Sequence, residues 1–327
     1  MVEPGRSAAV ASRLTGRDLR GERAMGVDQT NESIVVAEQV VVKWMRPPVP
    51  SPHPGAELLA YLAAHDFTEM PAFLGVYEDD DLVLALLTEF VPDSLDGWDW
   101  YVDDVDAWLR GDASLDALVA SGRRMGEMTA HLHSVLGGLQ RSTIGARTYH
   151  ARADANLHEA VRVVSGPEGE RLRAWEPRLR DALEPLRGDR MLHAHRIHGD
   201  LHAGQFIRSG ERLLMNDFDG NPMSDAADRR LPQSPMLDLA GLLQSIDHVG
   251  RIVVKRRHPD RVDDVESFIT AATDAALAAY AHDHAVDHDV LRALRVAQEL
   301  HEYLYAAAHL PHWVYVPDTA LPTLLGD

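Results

Sequence analysis

Residues 196–220 read R-I-H-G-D-L-H-A-G-Q-F-I-R-S-G-E-R-L-L-M-N-D-F-D-G. Two short apolar runs, Gln205-Phe206-Ile207 and Leu213-Leu214-Met215, have the texture of strands. Acidic and amide side chains stand at their margins. Phosphoryl transfer asks little covalent chemistry of a protein; it needs a group to orient the acceptor hydroxyl and cations to neutralise the triphosphate. Asp200 can accept a hydrogen bond from such a hydroxyl. Gln205, five residues later, offers an amide oxygen, and Asp217, beyond the second run, a carboxylate. Both are hard donors suited to Mg²⁺.

The spacing parallels the protein-kinase catalytic loop, in which an Asp precedes an Asn by five residues and D-F-G follows. Here the equivalents are Asp200, Gln205 and D-F-D. A loop with ordinary caps and one buried His would explain a single Asp, but it explains the ordered set poorly. A kinase-like fold also needs a small-lobe lysine on a strand, reaching the nucleotide phosphates and held by a helix carboxylate. V-V-V-K-W supplies Lys43, and Glu57 lies in the helical pattern that follows, where a first-turn Glu is also favoured by the helix dipole. No G-x-G-x-x-G precedes Lys43. V-D-Q-T-N-E-S, residues 27–33, stands in that place, and Thr30, Asn31 and Ser33 offer side chains to join backbone N–H groups around phosphate. The connector at 88–92, with Glu89 and Val91, is expected to line the nucleotide.

Working outward gives the fold class. Ile34-Val35-Val36 and Val40-Val41-Val42 form a hairpin pattern, 72–77 and 82–89 a second strand pair, and Leu58, Leu59, Leu62 and His65 a helix between them. Residues 93–100 read as a loop, and helical periodicity dominates thereafter. The expectation is an α+β, bilobal, protein-kinase-like fold. It comprises a flexible N-terminus over 1–24, a small antiparallel β lobe with one helix over 25–92, and a large mainly helical lobe over 93–327.

Composition narrows the function. The 327 residues suffice for two lobes. The formal net charge of −19 argues against nucleic acid, which needs clustered Lys and Arg; it suits a cationic ligand, though acidic surfaces more often serve solubility. The absence of cysteine excludes disulfides and thiolate chemistry. No apolar run suggests a membrane span or secretory signal, so a cytoplasmic location is expected. Eighteen histidines include close pairs such as His131 and His133, but no third ligand has zinc-like spacing. The basic run at 255–258 reads as a solvated loop.

H-G-D-x-H-x-G-Q, D-F-D-G, Asp228-Arg229-Arg230 and S-P-x-x-D-L-A-G (234–241) resemble the aminoglycoside phosphotransferase-like superfamily, in its actinobacterial maltokinase-like branch. D-G-W-D-W (96–100) and Q-E-L-H-E-Y-L-Y-A-A-A-H-L-P-H-W-V-Y-V-P-D (298–318) resemble the bacterial glucosamine kinases more closely. The resemblance implies ATP and Mg²⁺ as cofactors and transfer of the γ-phosphoryl to the 6-hydroxyl of glucosamine, a small-molecule sugar. Members of the branch carry a longer segment ahead of the phosphate loop, so the first strands of the small lobe are expected to be missing or supplied by other residues.

For the acceptor, Gln298, Glu299, Glu302 and Tyr303 cluster at three- and four-residue spacing on the last long helix. Two carboxylates beside a Tyr suit a protonated amine and sugar hydroxyls; taken alone, they also fit a solvated helix face. Trp313 offers an aromatic face to a sugar ring or fills a core. Asp219 is a second Mg²⁺ ligand or a sugar contact. Maltose, an aminoglycoside, or sugar binding without turnover remain alternative readings.

Overall fold

A computed structural model describes residues 2–26, 31–221, 224–225 and 227–326. In chain order, the first part runs α1 (Arg6–Thr15), β1 (Glu22–Ala24), β2 (Glu32–Val36), β3 (Val40–Pro50), α2 (Pro54–Ala64), β4 (Phe73–Asp79) and β5 (Leu82–Glu89). Then follow α3 (Gly97–Arg110), α4 (Leu115–Leu136), β6 (Ser142–Gly145), α5 (Ala146–Val163), α6 (Gly166–Leu183) and β7 (Met191–Ala194). Strands β8 (Phe206–Ser209) and β9 (Arg212–Met215) precede α7 (Met236–Arg256), α8 (Val262–Asp283), α9 (His288–His309) and α10 (Tyr315–Leu325). The chain divides into two compact units, Met1–Asp96 with Gln205–Arg230, and Gly97–Gly204 with Leu231–Asp327.

The first unit is built on a five-stranded antiparallel sheet of order β1-β2-β3-β5-β4. Alternation in β3 turns Val40, Val42 and Trp44 into a core shared with Val36, Ala85 and Leu87. Within the segment expected to be flexible over 1–24, Arg6–Thr15 form α1 and Glu22–Ala24 form β1. Val10 and Ala11 of α1 pack into the same core, and Trp44 Nε1 donates to Ser7 Oγ at 3.0 Å. The Glu22 carboxylate accepts from the backbone N–H groups of Gly5 and Ala8, meeting the donors that a helix start leaves unpaired. Thus residues 6–24 supply the sheet's outer strand and a covering helix.

The boundary also differs from the expected division at 92/93. Strands β8 and β9 belong with the small sheet because Leu95 and Arg208 bridge, Ser209 Oγ donates to the Pro92 carbonyl at 2.7 Å, and Met215 N donates to the Glu69 carbonyl at 2.8 Å.

The second unit is helical, with β6 and β7 as an additional antiparallel pair. Only part of 93–100 is loop. Helix α3 begins at Gly97 because Trp100, Tyr101, Val105 and Leu109 form a buried stripe of helical spacing. The basic run is only in part a solvated loop: 257–258 follow the helix, while the exposed Lys255 and Arg256 lie in the last turn of α7, over the rings of Tyr315 and Trp313. Among the described residues no helix is long and apolar enough to cross a membrane.

Helices α4 and α8 cross closely because Gly122 and Gly126 leave room for the α8 backbone; a Cβ on Gly126 would lie 2.2 Å from the Ala276 carbonyl oxygen. Gly126→Ala is therefore expected to destabilise the chain by about 1–3 kcal/mol through overpacking, beyond the roughly 1 kcal/mol that Ala regains in helix propensity. Urea unfolding checks this.

Candidate functional site

In the first unit, Lys43 lies on β3 directly across from Ser33 of β2, so their side chains share a face of the sheet. Its ammonium binds Asp219 at 2.8 Å and Asp217 at 3.2 Å. Asp217 follows β9 with φ +58°, a left-handed conformation that Asp tolerates better than most residues. Asp219 is largely buried. Burial opposes its charge, but Lys43 and then His53 hold the carboxyl below the usual carboxylate range. Gly55 makes this approach possible, since a Cβ there would lie 2.4 Å from Asp219 Oδ1. The sequence-derived partner Glu57 instead accepts from Arg230 Nε at 2.9 Å. Asp219 thus holds Lys43, a role that its position two residues past Asp217 did not disclose.

Gln205 is buried at the entry to β8, and its carbonyl accepts from Asn216 N at 2.8 Å. This bond ties the start of the hairpin to the residue before Asp217. Glu89 is engaged by Arg212 at 2.8 Å, and its carboxylate also accepts from Ala72 N, so both hold it below the usual range. Val91 is buried, and Asn31 and Ser33 are half-buried beside β3. Thr30 lies outside the described residues.

In the second unit, Asp200 is half-buried on a loop whose backbone is held from α7. Asp238, fully buried, accepts from His198 N at 2.8 Å, Gly199 N at 2.9 Å and His133 Nε2 at 3.0 Å. Ala203 N donates to Ser245 Oγ at 2.8 Å, and Gly241 lets α7 approach the Leu201 carbonyl, 2.4 Å from where a Cβ would sit. With its Nε2–H committed to Asp238, neutral His133 accepts at Nδ1 from the Tyr280 hydroxyl, 2.9 Å away. Burial pushes His133 down in spite of Asp238. Asp238 stands in the S-P-x-x-D-L-A-G stretch and His133 in a histidine pair, but neither they nor Ser245 were assigned this role from sequence. A charged residue inside the apolar run M-L-D-L-A was the available signal.

The acceptor residues separate by depth. Glu299 and Tyr303 of α9 are fully buried: Glu299 Oε1 pairs with His248 Nε2 at 2.8 Å, and the Tyr303 hydroxyl donates to Asp318 at 3.2 Å. Gln298 and Glu302 are half-buried and bonded to each other at 3.3 Å. Trp313 sits edge-on to Trp98, which stacks on His202. Trp98 and the turn that follows α9 are therefore neighbours in the fold, a juxtaposition invisible in their separate sequences.

No family model matches the chain. It is 41% identical over 342 residues to a glucosamine kinase of Streptacidiphilus jiangxiensis, covering 98% of this chain and 77% of the relative. A glucosamine kinase of Mycolicibacterium smegmatis (strain ATCC 700084 / mc(2)155) is 35% identical over 322 residues, covering 94% and 80%. Among solved structures, a glucosamine kinase in complex with glucosamine, ADP and inorganic phosphate superposes with a TM-score of 0.90 at 37% identity, covering 99% of this chain and 84% of that one. A choline/ethanolamine kinase family protein from Mesorhizobium loti, 13% identical with a TM-score of 0.55 and coverage of 98% and 95%, shares the fold alone.

Proposed function

Given that the chain belongs to the glucosamine kinase family, we propose that it transfers the γ-phosphoryl of Mg-ATP to the 6-hydroxyl of glucosamine. It is an ATP-dependent sugar phosphotransferase. The observation that carries the acceptor is the near-complete match to the kinase bound to glucosamine, ADP and inorganic phosphate.

In this reading Asp200 accepts the proton of the 6-hydroxyl and orients its oxygen toward the γ-phosphorus. Lys43 reaches the nucleotide phosphates, with Asn31 and Ser33 beside them and Glu89 and Val91 along the base and ribose. The donor set fits Mg²⁺: Asp217 is exposed enough to be reached, and Asp219 neutralises the adjacent lysine, leaving carboxylate charge available to a cation. Gln205 and Asp217 would hold the ion, which supplies charge neutralisation for the triphosphate. Gln298, Glu302 and Trp313, less buried than Glu299 and Tyr303, contact the sugar in this reading, with Glu302 for the ammonium and Trp313 for the ring face. Glu299 and Tyr303 support them from beneath.

ADP formation measured with glucosamine, glucose, maltose and kanamycin tests the reading. Glucosamine is expected to give the highest kcat/KM, with activity lost on chelation and restored by Mg²⁺. Turnover stimulated by none of the sugars would sink the kinase reading, and preference for maltose would sink the acceptor alone.

A further inference from the structure

Helix α7 uses two neighbouring faces for two tasks. Asp238, Gly241 and Ser245, at three- and four-residue spacing, hold the loop that carries Asp200. Gln244 and His248, one turn apart, reach α9 instead: Gln244 Oε1 accepts from Arg295 Nε at 3.0 Å, and His248 Nε2 pairs with Glu299 at 2.8 Å. The second pair meets α9 at the turn that carries Gln298 and Glu302.

Glu299 itself is fully buried, so it has no route to a sugar except through its neighbours. Its Oε2 has no hydrogen-bond partner in the protein, which leaves the His248 contact as its one side-chain hydrogen bond among the described residues. Glu299 and Glu302 are like charges at i, i+3 on one helix, an arrangement that would splay or neutralise them. A cation beneath Glu299 offsets that repulsion. Burial opposes a charge on His248, but the carboxylates of Glu299, Glu302 and Asp247 raise it to about 9, while burial and the neighbouring carboxylates push Glu299 up as well. Burial of such a pair is not in itself a source of stability, since a well-packed apolar pair commonly does as well. What it gives is a directional bond, and that bond fixes α9 at this turn.

We propose that His248 is a specificity-determining positioning residue that acts through Glu299 to set where Gln298 and Glu302 meet the amino group of the acceptor. The inference rests on the reading of Gln298 and Glu302 as the amine-recognising pair. It assigns α7 a single mechanical role: one rigid helix relates the Asp200 loop to the amine-binding turn, by Asp238 and Ser245 on one face and His248 on the next.

The test compares glucosamine with glucose, which lacks the amine. His248→Leu is expected to raise KM for glucosamine about tenfold while leaving kcat and the KM for glucose within about twofold, the pattern of lost ground-state binding. His248→Gln, which retains an N–H donor toward Glu299, should restore discrimination. The double variant His248→Leu with Glu299→Leu removes both members of the pair, leaves neither facing an absent partner, and should show the same tenfold loss. An unchanged preference in the double variant would overturn the proposal, as would equal losses on both sugars or a fall in kcat alone. Glu302→Gln separates the levels. If it too leaves the preference untouched, the reading of the α9 face fails; if it abolishes the preference while the His248 variants do not, only the role of His248 fails.

Discussion

Asp200→Asn is expected to lower kcat by roughly 10²–10⁴, the range for loss of a positioned general base, with nucleotide affinity within about twofold of the parent. The substitution keeps size and shape. The loop backbone around it is secured by bonds that do not involve the Asp200 carboxylate: Asp238 holds His198 and Gly199, and Ser245 holds Ala203. Removing the charge at this position is therefore expected to keep the loop backbone in place while withdrawing the carboxylate to which the proposed mechanism assigns the hydroxyl proton. Lys43, Asp217 and Asp219 belong to the other compact unit and retain their own contacts, so nucleotide binding should persist. Coupled ADP release gives kcat, calorimetry gives nucleotide affinity, and a thermal melt confirms folding. Near-parent activity in the Asp200→Asn variant would remove Asp200 from the chemistry. A variant that unfolds would show that the carboxylate serves structure.

The loop and hairpin of the cassette were legible because its residues are close in sequence. Asp200, Gln205 and Asp217 are spaced by a loop and a hairpin, and the hairpin residues carry the apolar runs that mark strands. Lys43 was legible for a similar reason, as the last residue of V-V-V-K in a β-branched run. Long-range partners were not. Glu57 sits in the first turn of α2 as expected, but which cation it meets depends on how 205–230 packs against the sheet, and it meets Arg230. Asp219 takes Lys43 because Gly55 leaves space for it, a steric fact with no signature in a single sequence.

The acceptor helix shows the same limit from another side. Three- and four-residue spacing groups Gln298, Glu299, Glu302 and Tyr303, yet their depths differ because α7 and α10 supply His248 and Asp318 to the inner two. Periodicity assigns a side to a helix; it does not say whether a polar side chain there has been matched from across the core. The helix over Arg6–Thr15 was missed likewise. Helix α1 is too short to be stable by propensity alone, and it persists because Trp44 and the sheet core receive it.

Asp238→Ala is expected to cause the largest loss of stability, about 3–5 kcal/mol, because it strands partners of a fully buried charge. Three donors lose their acceptor at once: two loop N–H groups and His133 Nε2. Burial opposes the charge on Asp238, but His133 and the loop N–H groups outweigh it and hold the carboxyl below the usual carboxylate range. A depressed carboxylate contributes stability above its unfolded value of roughly 3.9 and loses it as pH falls through the lower folded value. The histidines nearby work in the same direction at higher pH. Burial pushes His195 and His202 down to about 4, so the unfolded chain binds their protons first, and folding weakens as pH falls from 6.5 toward about 4. Each shifted histidine can change the folding constant by up to about tenfold per pH unit in that window. Chemical denaturation at pH 7.5 and pH 5 should therefore find the parent less stable at pH 5 and the Asp238→Ala chain less stable than the parent at both. If Asp238→Ala unfolded at parent denaturant concentrations, the loop would be held by something other than α7. If Asp238→Asn matched the parent in stability but lost kcat, the buried charge would matter for setting the loop's geometry and not for keeping it folded.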